Sequence, residues 1–437
     1  MPFLAVMFYM MIIGFIMPLR PTISISEKRY LDKFPTFSFN ALISGSYTED
    51  ISHWFADTFP GREVWLEINR IKESMHGFNF NYVDVTQLEQ SDEIPVVSSE
   101  TEDEPSPQII ETEPKPTPTP VPFSMKPQAT EFNYIDPDEV DISIYSGSIV
   151  VGDTIYASQG FSQDASEDYI SFVNSFADRC RAKGINVYNV IAPTSVGVLL
   201  PAEVREQLNC ADQEKVLEYI SSYYDDNVRA VDTYSYISSH KNEYIYYHTD
   251  HHWTGLGAYY AYLAFCDSAS LYPISLDKYE ALDQGVFVGS FVATANVFGR
   301  VKTDTVTAYN PPGNIRMAVS GDGYNWEDRS VVMDKTNDIP SNRYNAYIGG
   351  DNMLTVITND DLPDGPDCLV IKDSFGNPFS VYLSQHYHKV YVIDYRKVDD
   401  SALDYATRFG VDDVIICQSI GVSQSRAANG LLGQVLR

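Results

Sequence analysis

The 437 residues carry 60 acidic side chains against 30 basic ones, a formal net charge of -30. That balance excludes a reader of nucleic-acid phosphates and electrostatic docking to anionic lipid, both of which want a basic surface. Hydrophobic residues make up 44% of the chain, enough for a sizeable core, and the length suggests more than one domain.

Residues 1–19, MPFLAVMFYMMIIGFIMPL, are apolar and uncharged, just long enough to span a bilayer. No small-residue cleavage site follows, so the segment predicts an uncleaved transmembrane anchor rather than a removed signal peptide. The implied location is the cell membrane, single-pass, with the remainder extracytoplasmic. Arg20, Lys28 and Arg29 follow the segment, the reverse of the positive-inside expectation; a basic leader upstream would reconcile the two.

Residues 20–85 predict a membrane-proximal helical segment. It has helical spacing around Ile51, Trp54 and Phe55, again around Val64 to Ile71, and a turn at Pro60-Gly61. Residues 86–130 predict a disordered spacer. Its stretch from Gln87 to Pro116 holds nine acidic residues and one basic, and runs into PKPTPTPVP. No core forms from that composition, and the Pro-Thr alternation favours an extended polyproline rod.

Residues 131–437 predict one globular domain. SIVVGDTIYA reads as short paired strands around a Gly-Asp turn, and residues 167–184 as an amphipathic helix ending at a glycine. INVYNVIAPTS is an apolar strand, and residues 285–350, rich in Gly, Asn, Thr and Val, predict a β-rich insertion. DCLVIKDS, KVYVIDYR and VDDVIICQS are strands separated by two helical patterns. That alternation predicts an α/β fold, a three-layer doubly wound parallel sheet. The five cysteines (180, 210, 266, 368 and 417) show no CxxC spacing. They indicate neither a disulfide framework nor a zinc finger, although a Cys180–Cys210 bridge stays open.

In such a sheet reacting groups gather at the carboxyl ends of the strands. LVIKDSFGNPF places Asp373 and Ser374 there, at a turn into a helix whose N-terminal N–H groups can stabilise an oxyanion. The bland reading of Asp-Ser before a helix is an ordinary N-cap. The second focus is YYHTDHHWTGLGAYYAY, which packs three of the eight histidines and an aspartate into five residues. If Tyr244 to Trp253 is extended, Asp250, His252 and His248 face one way and His251 the other. Thr254 then opens a helix over 255–269. An aspartate fixing a histidine is two-thirds of a Ser-His-Asp triad, and Ser374 is the serine at a strand end. A metal site and a purely structural corner remain the rival readings of the histidines. No HxxxH pair lies on a predicted helix, so no metal and no cofactor is expected.

TDHHWTGLGAYYAY, SEKRYLDKFPTFSFNALISGSY, IAPTSVGVLLP and IKDSFGNPF together resemble the DHHW family, which is similar to the SGNH-hydrolase-like alginate O-acetyltransferases. The resemblance implies an SGNH-like fold with Asp250, His252 and Ser374 as orienter, base and nucleophile. It matches Trp253 to the motif's tryptophan. Asn377 and the Ser374 N–H are candidate oxyanion donors; Arg396, Thr194 and Ser195 are candidate cleft-lining residues, against surface ion-pair or cap roles. His251 is expected to be structural. The implied activity is transfer of acetyl through an acetyl-serine to a polysaccharide hydroxyl, the acetyl coming from a membrane-bound O-acyltransferase partner. A carbohydrate acetyl esterase and a non-catalytic glycan-binding or scaffold subunit are the alternatives.

Overall fold

The protein is seen here as a computed structural model in which the described residues are 20, 22–24, 29–44, 46–59, 91–95, 142–145, 148–295 and 301–437. In chain order its strands are β1 (Ile23–Ser24), β2 (Arg29–Tyr30), β3 (Ile142–Tyr145), β4 (Ser148–Val151), β5 (Thr154–Ala157), β6 (Asn186–Ala192), β7 (Val228–Ala230) and β8 (Glu280–Phe287). They continue as β9 (Asp304–Asn310), β10 (Ile315–Ser320), β11 (Trp326–Arg329), β12 (Leu354–Asn359), β13 (Asp367–Lys372), β14 (Lys389–Asp394) and β15 (Asp413–Ser419).

Eight of these make the main sheet, in the order β11-β10-β12-β14-β13-β15-β6-β7. The run β14-β13-β15-β6-β7 is parallel throughout. Its inner strands β13, β15 and β6 lack polar alternation because both faces are covered. Along β13, Cys368 and Val370 enter one core and Leu369 and Ile371 the other. The first core holds the helices Gly255–Ser268 and Gly376–Leu383. The second holds the helices Gln163–Arg181, Gln213–Ser222, Ala402–Phe409 and Arg426–Val435.

Counted from β13, the parallel strands lie in the order 2-1-3-4-5, with β6 and β7 supplied from earlier in the chain. This is the doubly wound order of a flavodoxin-like sheet, circularly permuted. Its switch point falls between β13 and β15, where Asp373 and Ser374 leave the sheet.

The fully parallel expectation is corrected to a mixed sheet. β12 pairs antiparallel to β14, β10 to β12 and β11 to β10. The region expected as a separate β-rich insertion therefore divides. Its β10 and β11 extend the main sheet, whereas β9 pairs with β8 in a bulged antiparallel ribbon. Short strands with polar ends carry no signal of which neighbour they will join.

Three further expectations meet the structure. The single-pass membrane assignment is corrected: among the described residues no helix is long and apolar enough to cross a membrane. The anchor over 1–19 and the second helical pattern around Val64 lie outside the described residues, as does most of the spacer. The helix Ser46–Asp57 covers the first helical pattern. Within the stretch expected to be disordered, residues 91–95 instead dock on the domain. Asp92 accepts from the Gln163 N–H at 3.0 Å, its own N–H donates to the Phe161 carbonyl at 2.9 Å, and Ile94 packs on the second core. Cys180 and Cys210 are both free and buried, so the bridge between them is not made.

Candidate active site

The turn that carries Ser374 follows from strand geometry. β13 ends at Lys372, and the helix Gly376–Leu383 begins four residues later. Gly376 allows that sharpness, because a Cβ there would lie 2.5 Å from the Lys372 Cβ. Asp373 spans the switch point, accepting from the Phe375 N–H and, across to β15, from the Ser419 N–H, both at 2.9 Å. Burial raises its pKa. Two more bonds hold the turn from above: Trp253 Nε1 donates to the Phe375 carbonyl at 3.1 Å and the Tyr344 hydroxyl to the Ser374 carbonyl at 2.9 Å. The helix cap is Phe375, with no side-chain capping bond, so the N-cap reading of Ser374 fails. Its backbone N–H has no acceptor among the described residues.

Opposite lies the histidine loop. It is not extended as expected: Tyr246 and Trp253 form an isolated antiparallel bridge, so 247–252 folds back on itself. His248 is thereby separated from His252 and goes to Asp304. The buried Asp304 carboxylate accepts from the His248 N–H, His248 Nδ1 and the Thr249 N–H, each at 2.8 Å, from the Tyr244 hydroxyl at 2.6 Å, and from the Thr249 hydroxyl. Thr254 caps the helix Gly255–Ser268 through the Gly257 N–H.

The fold-back brings three side chains into line. His252 Nε2 is 2.7 Å from Ser374 Oγ, and His252 Nδ1 is 2.5 Å from Asp250 Oδ1. Because the carboxylate accepts a hydrogen bond from Nδ1–H, that proton stays on Nδ1 and Nε2 is left as the acceptor for the Ser374 hydroxyl. Asp250 is 4% exposed and fully committed: Oδ1 also accepts the His252 N–H at 3.1 Å, and Oδ2 accepts the Ser290 N–H at 2.8 Å and hydroxyl at 3.0 Å. Burial alone would raise its pKa. His251, His252 and the Ser290 N–H outweigh that and hold the carboxyl well below the usual range. Gly289 permits the approach, since a Cβ there would lie 2.3 Å from the Asp250 Cβ. The His252 ring stacks on Tyr344, centroids 4.1 Å apart.

His251 lies beside this array, its ring 3.9 Å from that of His252 and its Nδ1 3.1 Å from the Ser290 hydroxyl. Desolvation and the neighbouring imidazole push its pKa down to about 4. Ligand atoms of Asp250, His251 and His252 lie within 4.8 Å of one another, a spacing that could hold a cation. A cation on His252 Nε2 would have to displace the Ser374 hydroxyl, and one on Asp250 would compete with four hydrogen bonds. The donor set fits a proton relay better than a metal.

The remaining expected residues divide. Arg396 lies near the array on an ion network: Nε and one terminal nitrogen grip Asp394 at 2.8 and 2.6 Å, and that nitrogen also reaches Asp351 at 2.8 Å. Lys372, buried, bridges Asp351 at 2.7 Å and Asp394 at 3.4 Å. Asn377 is buried with its amide turned to Asp351 at 3.1 Å, away from an oxyanion role. Thr194 and Ser195 follow β6 at the same sheet end, but Thr194 is tied to Gln213 through its N–H at 2.9 Å and its hydroxyl at 2.7 Å. Among the described residues neither is hydrogen-bonded to Ser374 or His252. Ser290, Tyr344 and Asp304 were invisible to motif reading.

Ser290→Ala should keep the backbone bond to Asp250 and lose the hydroxyl bond. One charge-assisted hydrogen bond corresponds to about a tenfold fall in any turnover that depends on His252. The wild-type rate in that variant, measured as ester hydrolysis, would contradict a role for Ser290 in fixing Asp250.

The α/β sheet thus presents a serine, a histidine and a buried aspartate in one hydrogen-bonded line. The chain belongs to the DHHW family: the model described as DHHW protein matches residues 27–111 and 133–393. It is similar to a DHHW family protein of Eubacterium siraeum, with 28% identity over 68% of this chain and 99% of that one and a TM-score of 0.62. It is also similar to PatB1 of Bacillus cereus, at 16% identity over 66% and 99% with a TM-score of 0.51, a likeness of fold. The O-acetyltransferase domain of Pseudomonas putida AlgJ aligns over 68% and 99% at 11% identity, but at a TM-score of 0.36 that match carries no weight here. Among curated proteins none matches.

Proposed function

We propose that this chain is an O-acetyltransferase that moves an acetyl group through an acetyl-Ser374 intermediate onto a polysaccharide hydroxyl. The observation that carries the reading is the single line Ser374 Oγ–His252 Nε2, His252 Nδ1–Asp250, with separations of 2.7 and 2.5 Å. Its SGNH-like layout is supported by the permuted 2-1-3-4-5 order and by the serine at the switch point.

In the first half-reaction His252 Nε2 takes the Ser374 proton as Oγ bonds to the acetyl carbonyl carbon. The carbonyl electron pair moves to oxygen, which the Ser374 N–H meets. The ester C–O bond then breaks, and the leaving oxygen takes the proton from His252. In the second half His252 takes the proton of a sugar hydroxyl, the sugar oxygen attacks the acetyl carbon, and Ser374 Oγ departs with the proton. Asp250 remains ionised throughout and stabilises the imidazolium. Water in place of the sugar gives ester hydrolysis.

The test is partition. With p-nitrophenyl acetate as donor, added oligosaccharide should yield acetylated sugar at the expense of acetate. Acetate alone at every acceptor concentration would favour an esterase over a transferase.

A further inference from the structure

We infer that the acceptor glycan is held in a groove that runs from Ser374 across the sheet end to an aromatic platform at Trp326, and that the groove takes a neutral sugar chain. This deepens the acetyl-transfer reading above and rests on it for the reacting end alone.

The strand register supplies the path. Lys372 at the end of β13 is level with Asp394 at the end of β14. The neighbouring β14 residue Ile393 pairs with Leu354 at the start of β12, Leu354 with Ser320 at the end of β10, and Ser320 with Trp326 at the start of β11. The segments beyond these positions therefore share one sheet end: Ser374, then Arg396 and Lys397, then Asp351 and Asn352, then Ser320, then Trp326. Four interstrand steps separate the first from the last, about 19 Å. That is the reach of a short oligosaccharide and far beyond a single sugar ring.

The far half of the path is a groove of about 510 Å³ lined by Ser320, Asn325, Trp326, Arg329, Asn352 and Lys397 among others. Asp351 lines it too, and the same carboxylate grips Arg396 and Lys372 beside the nucleophile turn. Asp351 thus belongs both to the groove and to the ion network beside the Ser374 turn. Its lining charges balance in number: Glu327 pairs with Arg329 at 2.7 Å, and Asp351 and Lys397 add one charge of each sign. What remains is a set of hydrogen-bonding groups around an indole, with no excess of either sign to favour an ionised polymer.

The aromatics themselves need an explanation. Trp326 is 44% exposed and Tyr324, in the adjoining turn, 88%. Large rings contribute to a fold by burial, and these two are left out of every core. The turn is held firmly nonetheless. Asp322 accepts from the Tyr324 N–H at 2.9 Å, the Asn325 N–H at 2.8 Å and the Asn325 amide at 2.6 Å, and the Ser320 hydroxyl also reaches it. A rigid turn presenting a ring loses little entropy when a ligand lands on it. A sugar ring, apolar on its C–H faces and polar at its edge, matches an indole flanked by Asn, Ser and Arg.

Four neutral tetrasaccharides serve as probes: cellotetraose, chitotetraose, maltotetraose and mannotetraose. Each is titrated into the full chain carrying Ser374→Ala, by calorimetry and tryptophan fluorescence. At least one should bind with a fluorescence change. Trp326→Ala in the same background should weaken that binding about tenfold or more, Trp326→Phe should recover most of it, and Tyr324→Ala should weaken it less. Binding by none of the four, or wild-type affinity in Trp326→Ala, would overturn the groove. If Trp326→Ala fails to fold, Tyr324→Ala decides: weakened binding supports the groove and wild-type affinity overturns it. The wild-type hydrolysis of p-nitrophenyl acetate reports separately on Ser374. Its absence beside intact tetrasaccharide binding counts against acetyl transfer and leaves the groove standing.

Discussion

Ser374→Ala and His252→Ala should each reduce hydrolysis of p-nitrophenyl acetate to the background rate, and the double variant should be no worse than either. The reason is geometric. In the proposed mechanism Ser374 Oγ is activated through His252 Nε2, 2.7 Å away, and among the described residues His252 is hydrogen-bonded to no other serine. Two groups that act as one unit do not lose activity additively. Asp250→Asn should cost about two to four orders of magnitude, because an amide facing His252 Nδ1 no longer enforces the tautomer that leaves Nε2 as acceptor. His251→Ala should cost much less turnover. Its Nδ1 touches Ser290, and the Asp250 carboxylate keeps the Ser290 and His252 bonds without it. A fall with His251→Ala as deep as that with His252→Ala would reassign the base.

Asp304→Asn should give the second large effect, on stability and turnover together. Asp304 is 1% exposed and accepts five hydrogen bonds, four of them from the consecutive residues His248 and Thr249. The amide keeps one acceptor oxygen and turns an NH2 toward donors that then lack a partner. Each buried donor left unpaired costs about 1–3 kcal/mol, so a loss of about 3 kcal/mol in urea unfolding is expected. Because the same bonds fix the start of the loop that carries Asp250 and His252, ester turnover should fall at least about tenfold. Unchanged stability would show that the clasp contributes nothing; lost stability with unchanged turnover would show that the loop keeps its shape without it.

The readable part of this molecule was the part with local pattern. β6, β13, β14 and β15 announced themselves as mostly apolar runs, because strands covered on both faces have few polar positions to spare. Asp250, His252, Trp253 and Ser374 stood out because their chemistry is concentrated in two short motifs. The remainder depends on partners distant in sequence. Ser290 reaches Asp250 across 40 residues, Asp304 reaches His248 across 56, and Tyr344 reaches Ser374 across 30, each a lone polar residue in an irregular stretch. The partners of β10, β11 and β12 escaped for a related reason. An antiparallel strand at the margin of a parallel sheet differs from a strand in a separate insertion only by the neighbour it finds. The placement of Asn377 illustrates the limit of spacing alone: three residues past Ser374, its amide donates to Asp351, a carboxylate also held by the buried Lys372 and the exposed Arg396.

The central claim, that Ser374 carries the acyl group, is tested most directly by trapping it. The full chain is mixed with p-nitrophenyl acetate, quenched in acid within the first turnover and examined by intact mass and peptide mapping. The account predicts one acetyl group per chain, located on Ser374, absent from Ser374→Ala and from His252→Ala. An acetyl group on another residue, or the same adduct in Ser374→Ala, would contradict it.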